Sequence, residues 1–280
     1  MLGAAWQFVG LAAVVGAMLH TSMATANSEC GQEVPCVVGD GKYYASAPAG
    51  WDGMTFLPTA VFFHGWSSTA EAVMRNKAMI KAFSDEGVLL IAPNGHNKTW
   101  SHVGSPNTLQ RSAREELSFL DAVLRDVKRR WPVDEKRLWA TGFSQGGSMV
   151  WDVACYRGND YTAFAPISGG FWRPHPSLCP SGAVNLRHIH GTSDNMVPMS
   201  GRPIREFHQG DITEGMVLWR KQNGCSAEPD RVETRGILAC DIWDQCSSGK
   251  EFQLCLHDRG HIRPKDWVRD SYQWVKSLVQ

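Results

Sequence analysis

The chain has 280 residues, 43% of them hydrophobic and 20% charged, with 28 basic side chains against 28 acidic ones. That composition excludes a disordered protein, and a formal charge of zero withholds the long-range attraction that draws a protein to phosphate backbones or anionic lipid. Neither nucleic acid nor a membrane surface is expected as a partner, and the length suits one large core or two modest ones.

The first segment reads as a leader. Residues 1–26 hold no Lys, Arg, Asp or Glu, carry an apolar run over 9–19 and finish in Ala24-Thr25-Ala26, a small-x-small cleavage pattern. The run is shorter than the ~20 residues a membrane helix needs, so a signal peptide is expected. A start without Lys or Arg keeps an uncleaved anchor as the alternative. Residues 27–280 are then read as a single domain, secreted or periplasmic and free of the membrane after cleavage. All 8 Cys lie there. An even count in an oxidising space predicts disulfides, and without any CxxC a zinc ribbon is not expected. Cys30 and Cys36 are close enough to staple the new N-terminus. Cys240 and Cys255 fall on two strands that turn at Ser247-Ser248-Gly249, which sets them opposite each other. That leaves the pairs Cys225–Cys246 and Cys155–Cys179.

From Leu57 onward, short β-type runs alternate with amphipathic stretches, the rhythm of an α/β fold whose doubly wound, mostly parallel sheet carries helices on both faces. The run 60–63 ends at His64-Gly65, and 88–91 ends at Ala92-Pro93-Asn94-Gly95. Between them 69–83 has helical spacing. Over 112–131 the spacing is clearer, with Leu117, Leu120, Leu124 and Val127 on one face and Pro132 as the stop. A strand at 137–140 passes through a glycine-rich turn into a helix over 145–156. Further strands are expected at 163–167 and 186–189. A helix containing Met216 and Trp219 starts from Asp211, a hairpin lies near Ile237 and Phe252, and a helix over 266–275 closes the chain. The irregular stretch 169–182 reads as a loop over the carboxyl edge of the sheet, where open parallel sheets bind ligands.

The turn between the third strand and its helix is Gly142-Phe143-Ser144-Gln145-Gly146-Gly147. A strand that reverses this sharply into a helix leaves no room for Cβ atoms on either side of the serine, which is why GxSxG needs its glycines. Ser144 is thereby presented at the tip as a nucleophile. The helix behind it offers a free backbone N–H, that of Gln145, and a partial positive charge for an oxyanion. A serine hydroxyl reacts only when an imidazole takes its proton and a carboxylate holds that imidazole in one tautomer. In this architecture the chain order is serine, acid, histidine. Asp194, four residues past His188-Ile189-His190 and its strand, is the expected acid. Only His208, His257 and His261 follow it. His261, in a loop after the last strand, is the expected base, with His257 as the fallback. The second oxyanion donor is expected from the loop His64-Gly65-Trp66, through the N–H of Trp66. His188 and His190 share a strand face, but no further ligand stands at metal spacing, so a packing role is preferred and no metal or cofactor is expected.

The set HGWSS, APNG, TGFSQGGSMVW, HGTSDNMVP and GHIRP resembles the secreted polyhydroxybutyrate depolymerase and feruloyl esterase family, the carbohydrate-esterase-like branch of the α/β-hydrolases. That resemblance runs from about Thr59 to the C-terminus. It implies an α/β-hydrolase fold and a secreted serine ester hydrolase with Ser144, Asp194 and His261 as triad and Trp66 and Gln145 at the oxyanion. It also implies a disulfide-bearing segment at Asn223-Gly224-Cys225. One departure is that members commonly carry Trp before the proline that follows the base histidine, whereas this chain has Arg263 in His261-Ile262-Arg263-Pro264. The sugar or polymer contact on that side is therefore not carried over. The implied substrate is a polyester oligomer or a plant cell-wall ester. Trp100 and Trp172 are expected to build an aromatic wall near Ser144, which suits a hydroxycinnamoyl ring, a sugar face or an aliphatic polyester. Two rival readings share the sequence: a secreted peptidase or acyltransferase with the same triad, and a Trp-rich binding protein that keeps the fold without the chemistry.

Overall fold

The computed structural model describes residues 1–3, 30–109 and 114–279. The apolar run and cleavage pattern of the expected leader lie outside them, as do residues 112–113, where the helix over 112–131 was expected to begin.

Two strands that the alternation did not reveal come first, β1 (Cys36–Val38) and β2 (Gly41–Ser46). β3 (Leu57–Phe63) and β4 (Leu89–Pro93) follow, and between them the helix expected over 69–83 is two helices, α1 (Ala70–Arg75) and α2 (Lys77–Asp85). The break is at Asn76, with φ −78° and ψ 86°, whose side chain accepts from Met79 N–H and so caps the second helix while ending the first. After α3 (Glu116–Arg130) come β5 (Val133–Phe143), α4 (Gln145–Arg157), β6 (Ala163–Ile167) and β7 (Leu186–Gly191). A small hairpin, β8 (Arg202–Ile204) and β9 (Phe207–Gln209), precedes α5 (Ile212–Gln222), which Asp211 caps as expected by accepting from Glu214 N–H at 3.1 Å. The chain closes through β10 (Arg231–Arg235), β11 (Leu238–Trp243), β12 (Phe252–His257) and α6 (Trp267–Ser277).

Ten of these strands form one sheet in the order β1-β2-β4-β3-β5-β6-β7-β12-β11-β10. Its centre, β4 to β12, is parallel, and both edges are antiparallel. Central strands are buried along their length because both faces are covered. In β3, Val61 and Phe63 pack with α3, α4 and α5, while Ala60 and Phe62 pack with α1, α2 and α6. The chain leaves β3 for β4 on one side and later for β5 on the other, so a crevice opens at their carboxyl ends, the switch point where such sheets take ligands. All four expected disulfides are formed, Cys30–Cys36, Cys155–Cys179, Cys225–Cys246 and Cys240–Cys255. The last pair joins residues directly opposite each other on β11 and β12. Among the described residues no helix is long and apolar enough to cross a membrane.

Candidate active site

Strand register lines up the ends that matter. Phe63 pairs with Gly142, Phe143 with Ile167, Ile167 with Ile189, and Gly191 with His257, so the loops after β3, β5, β6, β7 and β12 emerge along one edge. At the end of β5, Ser144 has φ 59° and ψ −124°, a left-handed conformation that a non-glycine residue adopts only under constraint. The constraint is local. A Cβ on Gly146 would stand 2.0 Å from the carbonyl oxygen of Phe63, one on Gly142 would stand 2.5 Å from that of Gly146, and one on Gly147 would stand 2.5 Å from that of Ile167. The elbow is held further by Ser144 N–H donating to Ile167 C=O at 2.9 Å. The Ser144 hydroxyl makes no capping bond to α4 and faces a cavity of about 730 Å³.

His261 lines that cavity and meets Asp194 behind it, although 67 residues separate them: His261 Nδ1–H donates to Asp194 Oδ2 at 2.6 Å. With Nδ1 committed as donor, Nε2 is left as the acceptor on the cavity side. Asp194 is fully buried at its side chain, and its other oxygen accepts from the N–H groups of Met196 and Val197, both at 2.8 Å. Burial raises the Asp194 pKa, but the bond from His261 and the Val197 N–H outweigh it and hold the carboxyl below its ordinary value. The His261 ring lies against Phe143, centroids 4.5 Å apart. His257, the fallback base, ends β12 buried away from the cavity lining, and its Nδ1 accepts from Arg259 N–H.

Beneath Asp194 runs a chain of neutral donors. Trp151 Nε1 donates to His188 Nδ1 at 3.3 Å, His188 Nε2 to His190 Nδ1 at 2.9 Å, and His190 Nε2 to Val197 C=O at 2.8 Å. Both imidazoles spend both nitrogens in this relay, which ties α4 to the loop that carries Asp194. Burial lowers the pKa of each, that of His188 furthest, with the neighbouring imidazole adding to the effect. The shared strand face of His188 and His190 is therefore a packing feature.

The loop after β3 is braced from behind. His64 donates from Nδ1 to Gly65 C=O at 2.9 Å and accepts at Nε2 from Gly95 N–H at 3.0 Å, which fixes one neutral tautomer, and burial lowers its pKa. Trp100, expected in the aromatic wall, is fully buried instead. Its indole N–H donates to His64 C=O at 2.8 Å, and its ring packs edge-on against Phe63. A Trp after a sheet-edge strand carries no mark of whether it turns outward, and here the carbonyl at the end of β3 supplied the partner that drew it in. The backbone N–H groups of Trp66 and Gln145 have no protein acceptor among the described residues. Gln145 is anchored through its side chain, which accepts from Thr99 Oγ1 at 2.9 Å.

Trp172 does line the cavity, with Trp66, Phe62, Phe143 and Val197 as further apolar walls. Arg202 and Arg205, on the β8–β9 hairpin, and Arg263 also line it. The first two escaped sequence reasoning because a three-residue strand containing Pro203 offers no alternation to read. Among the described residues no group of His, Cys, Asp and Glu is arranged to hold a metal ion.

No family model matches the chain. It is 34% identical over 178 residues to a probable feruloyl esterase C of Aspergillus clavatus, a match covering 62% of this chain and 56% of that one. Against a probable feruloyl esterase C of Aspergillus terreus the identity is 26% over 232 residues, covering 78% and 81%. The chain thus spans just over half the length of the first of these relatives. Among solved structures, the acetyl xylan esterase from Aspergillus awamori superposes with a TM-score of 0.61 at 13% identity, over 85% of this chain and 94% of that one. The chain therefore has the α/β-hydrolase fold, and the curated relatives it matches in sequence are feruloyl esterases.

Proposed function

We propose that the chain is a serine carboxylic-ester hydrolase working through an acyl-enzyme. Ser144 Oγ attacks the ester carbonyl as its proton passes to His261 Nε2, and the carbonyl electron pair moves onto oxygen. The N–H groups of Trp66 and Gln145, at the positive end of α4, hold that oxyanion. Collapse breaks the bond to the alcohol, which leaves with the proton from His261, and the acyl group stays on Ser144. Water, deprotonated by His261, repeats the sequence and releases the acid. Asp194 keeps Nδ1 protonated throughout and balances the imidazolium.

The observation that carries this reading is the 2.6 Å bond between Asp194 and His261 at a cavity that the constrained Ser144 also lines. The feruloyl esterases among the relatives make hydroxycinnamoyl cell-wall esters the first substrates to try, and hydroxybutyrate oligomers supply the polyester arm. Trp172 and Trp66 offer either class an aromatic wall. Four disulfides suit an oxidising compartment, so we also infer export with cleavage after Ala26, which N-terminal sequencing of the secreted product checks.

The deciding test is Ser144→Ala against wild type on 4-nitrophenyl butyrate and methyl ferulate. Loss of roughly 10⁶-fold in kcat with an unchanged circular dichroism spectrum is expected. Full turnover by the variant removes the proposal. Hydrolysis of amides but not esters turns it to a peptidase, ester products from added alcohols turn it to an acyltransferase, and failure of Ser144 to take a fluorophosphonate label turns it to a binding protein.

A further inference from the structure

Arg263 lies two residues from His261, in the position where the resembling family commonly has Trp. Its guanidinium carbon is 5.5 Å from the ring centroid of Phe143 and 5.9 Å from those of Phe62 and Trp267, and Nη1 is 3.5 Å from Met79 Sδ. Burial alone pushes its pKa down, with no carboxylate opposing the shift. Several other arginines are paired, Arg114 with Glu116 at 2.6 Å, Arg130 with Asp126 at 2.7 Å and Arg157 with Asp121 at 2.7 Å, while the buried Arg187, outside this cavity, donates to the backbone carbonyl of Asp270 at 2.7 Å. Arg202 and Arg205 line the same cavity, and among the described residues the Arg202 side chain bonds only to the neutral Gln209, at 3.1 Å. No acidic side chain lines it among the described residues, since Asp194 is turned behind His261 with its oxygens taken.

Holding a cation among three rings without a counterion costs desolvation that cation–π contact returns only in part. A carboxylate brought by the ligand would return the rest. Guanidinium and carboxylate match in a two-point geometry, and low dielectric strengthens the pair.

We infer that the cavity selects esters that carry a free carboxylate, and that Arg263 binds this carboxylate while Arg202 and Arg205 draw the anion to the mouth. The inference rests on the ester-hydrolase reading and adds a substrate class to it: monoesters of dicarboxylic acids, or esters whose alcohol part bears an acid. It makes Arg263 a specificity residue.

Two substrate pairs test it, each differing in one charge and each normalised to its rate of alkaline hydrolysis. Mono-4-nitrophenyl adipate against 4-nitrophenyl methyl adipate puts the carboxylate on the acyl side. 4-Butyryloxybenzoate against its methyl ester puts it on the alcohol side. In wild type, kcat/KM is expected to favour the anion at least ~10-fold in one pair, mainly through KM, and raising ionic strength is expected to shrink that ratio. Arg263→Gln should bring the ratio close to unity, Arg263→Lys should keep part of it, and Arg205→Gln should lower it less. A wild-type ratio at or below unity in both pairs overturns the inference without needing any variant to fold. A ratio that survives in folded Arg263→Gln overturns the role of that residue. If folded protein turns over none of the four esters, the ester-hydrolase reading falls and this inference with it; turnover of the neutral esters alone sinks only the inference.

Discussion

Ser144 and Asp194 are held by opposite means. The serine sits where backbone crowding forces it, and the acid sits where hydrogen bonds to both oxygens pin it. Replacing Asp194 by Asn keeps the shape but offers His261 an N–H where it needs an acceptor, so the ring turns to the unproductive tautomer. A fall in kcat of roughly 10³–10⁴-fold is expected, with a melting temperature within a few degrees of wild type; stopped-assay kinetics and calorimetry check it. Gly146→Ala acts on the elbow itself. Because the new methyl would stand 2.0 Å from Phe63 C=O, β3 and α4 cannot both keep their places. That variant should lose both activity and several degrees of thermal stability, whereas Ser144→Ala should lose activity alone. At this scale the Asp194–His261 pair and the elbow at Ser144 were legible because chain order and strand-end positions leave few candidates. The destination of Trp100 was not, and neither was the cage around Arg263, because Phe62, Phe143 and Trp267 belong to elements far apart in the chain.

Among elements, those with a strong period were readable and those without were not. α3, with its apolar face Phe119, Leu120, Val123, Leu124 and Val127, declares itself. β10 reads Arg-Val-Glu-Thr-Arg and is a strand only because β11 lies beside it. The division of α1 from α2 was likewise hidden: Asn favours a cap over a helix interior, but the apolar spacing runs on through Asn76, and only the bond it accepts from Met79 N–H marks the break. β7 carries a consequence for pH. His188 and His190 are held neutral in the folded state, their pKa values lowered, while in the unfolded chain they titrate near ~6.5. As pH falls below that value the unfolded chain takes up protons that the folded one refuses, so stability present above pH ~6.5 is lost on acidification. His64 adds in the same direction. Urea midpoints at pH 7.5 and 5.5 should therefore differ, and replacing His188 by Gln should flatten the slope between them. A slope unchanged in that variant would show that the relay does not carry the proton linkage.

For the molecule as a whole, two of the four disulfides brace one edge of the sheet, away from the strands that lead to Ser144 and Trp66, and on the proposed mechanism this lets stability fall without activity. Cys240–Cys255 and Cys225–Cys246 gather on the antiparallel edge made of β10, β11 and β12, whereas Ser144 and the His64-Gly65-Trp66 loop hang from β5 and β3 at the centre. The compartment inferred from cysteine count thus shows up as reinforcement of a border. A polar edge strand such as β10 buries little apolar surface to hold its hairpin in place. Closing the 15-residue separation between Cys240 and Cys255 removes unfolded-state entropy worth ~3 kcal/mol. Both sulfurs are buried, at 1% and 0% residue exposure, so losing them also leaves a small void. The double variant Cys240→Ala, Cys255→Ala should melt well below wild type, by about 2–4 °C for each kcal/mol lost at this size. It should still turn over 4-nitrophenyl butyrate at 25 °C, because β12 keeps its parallel pairing with β7 from Phe252 to His257, and that pairing carries the loop of His261. A variant with an unchanged melting temperature and a collapsed kcat would mean that the bridge, not the pairing with β7, holds His261 in register with Asp194.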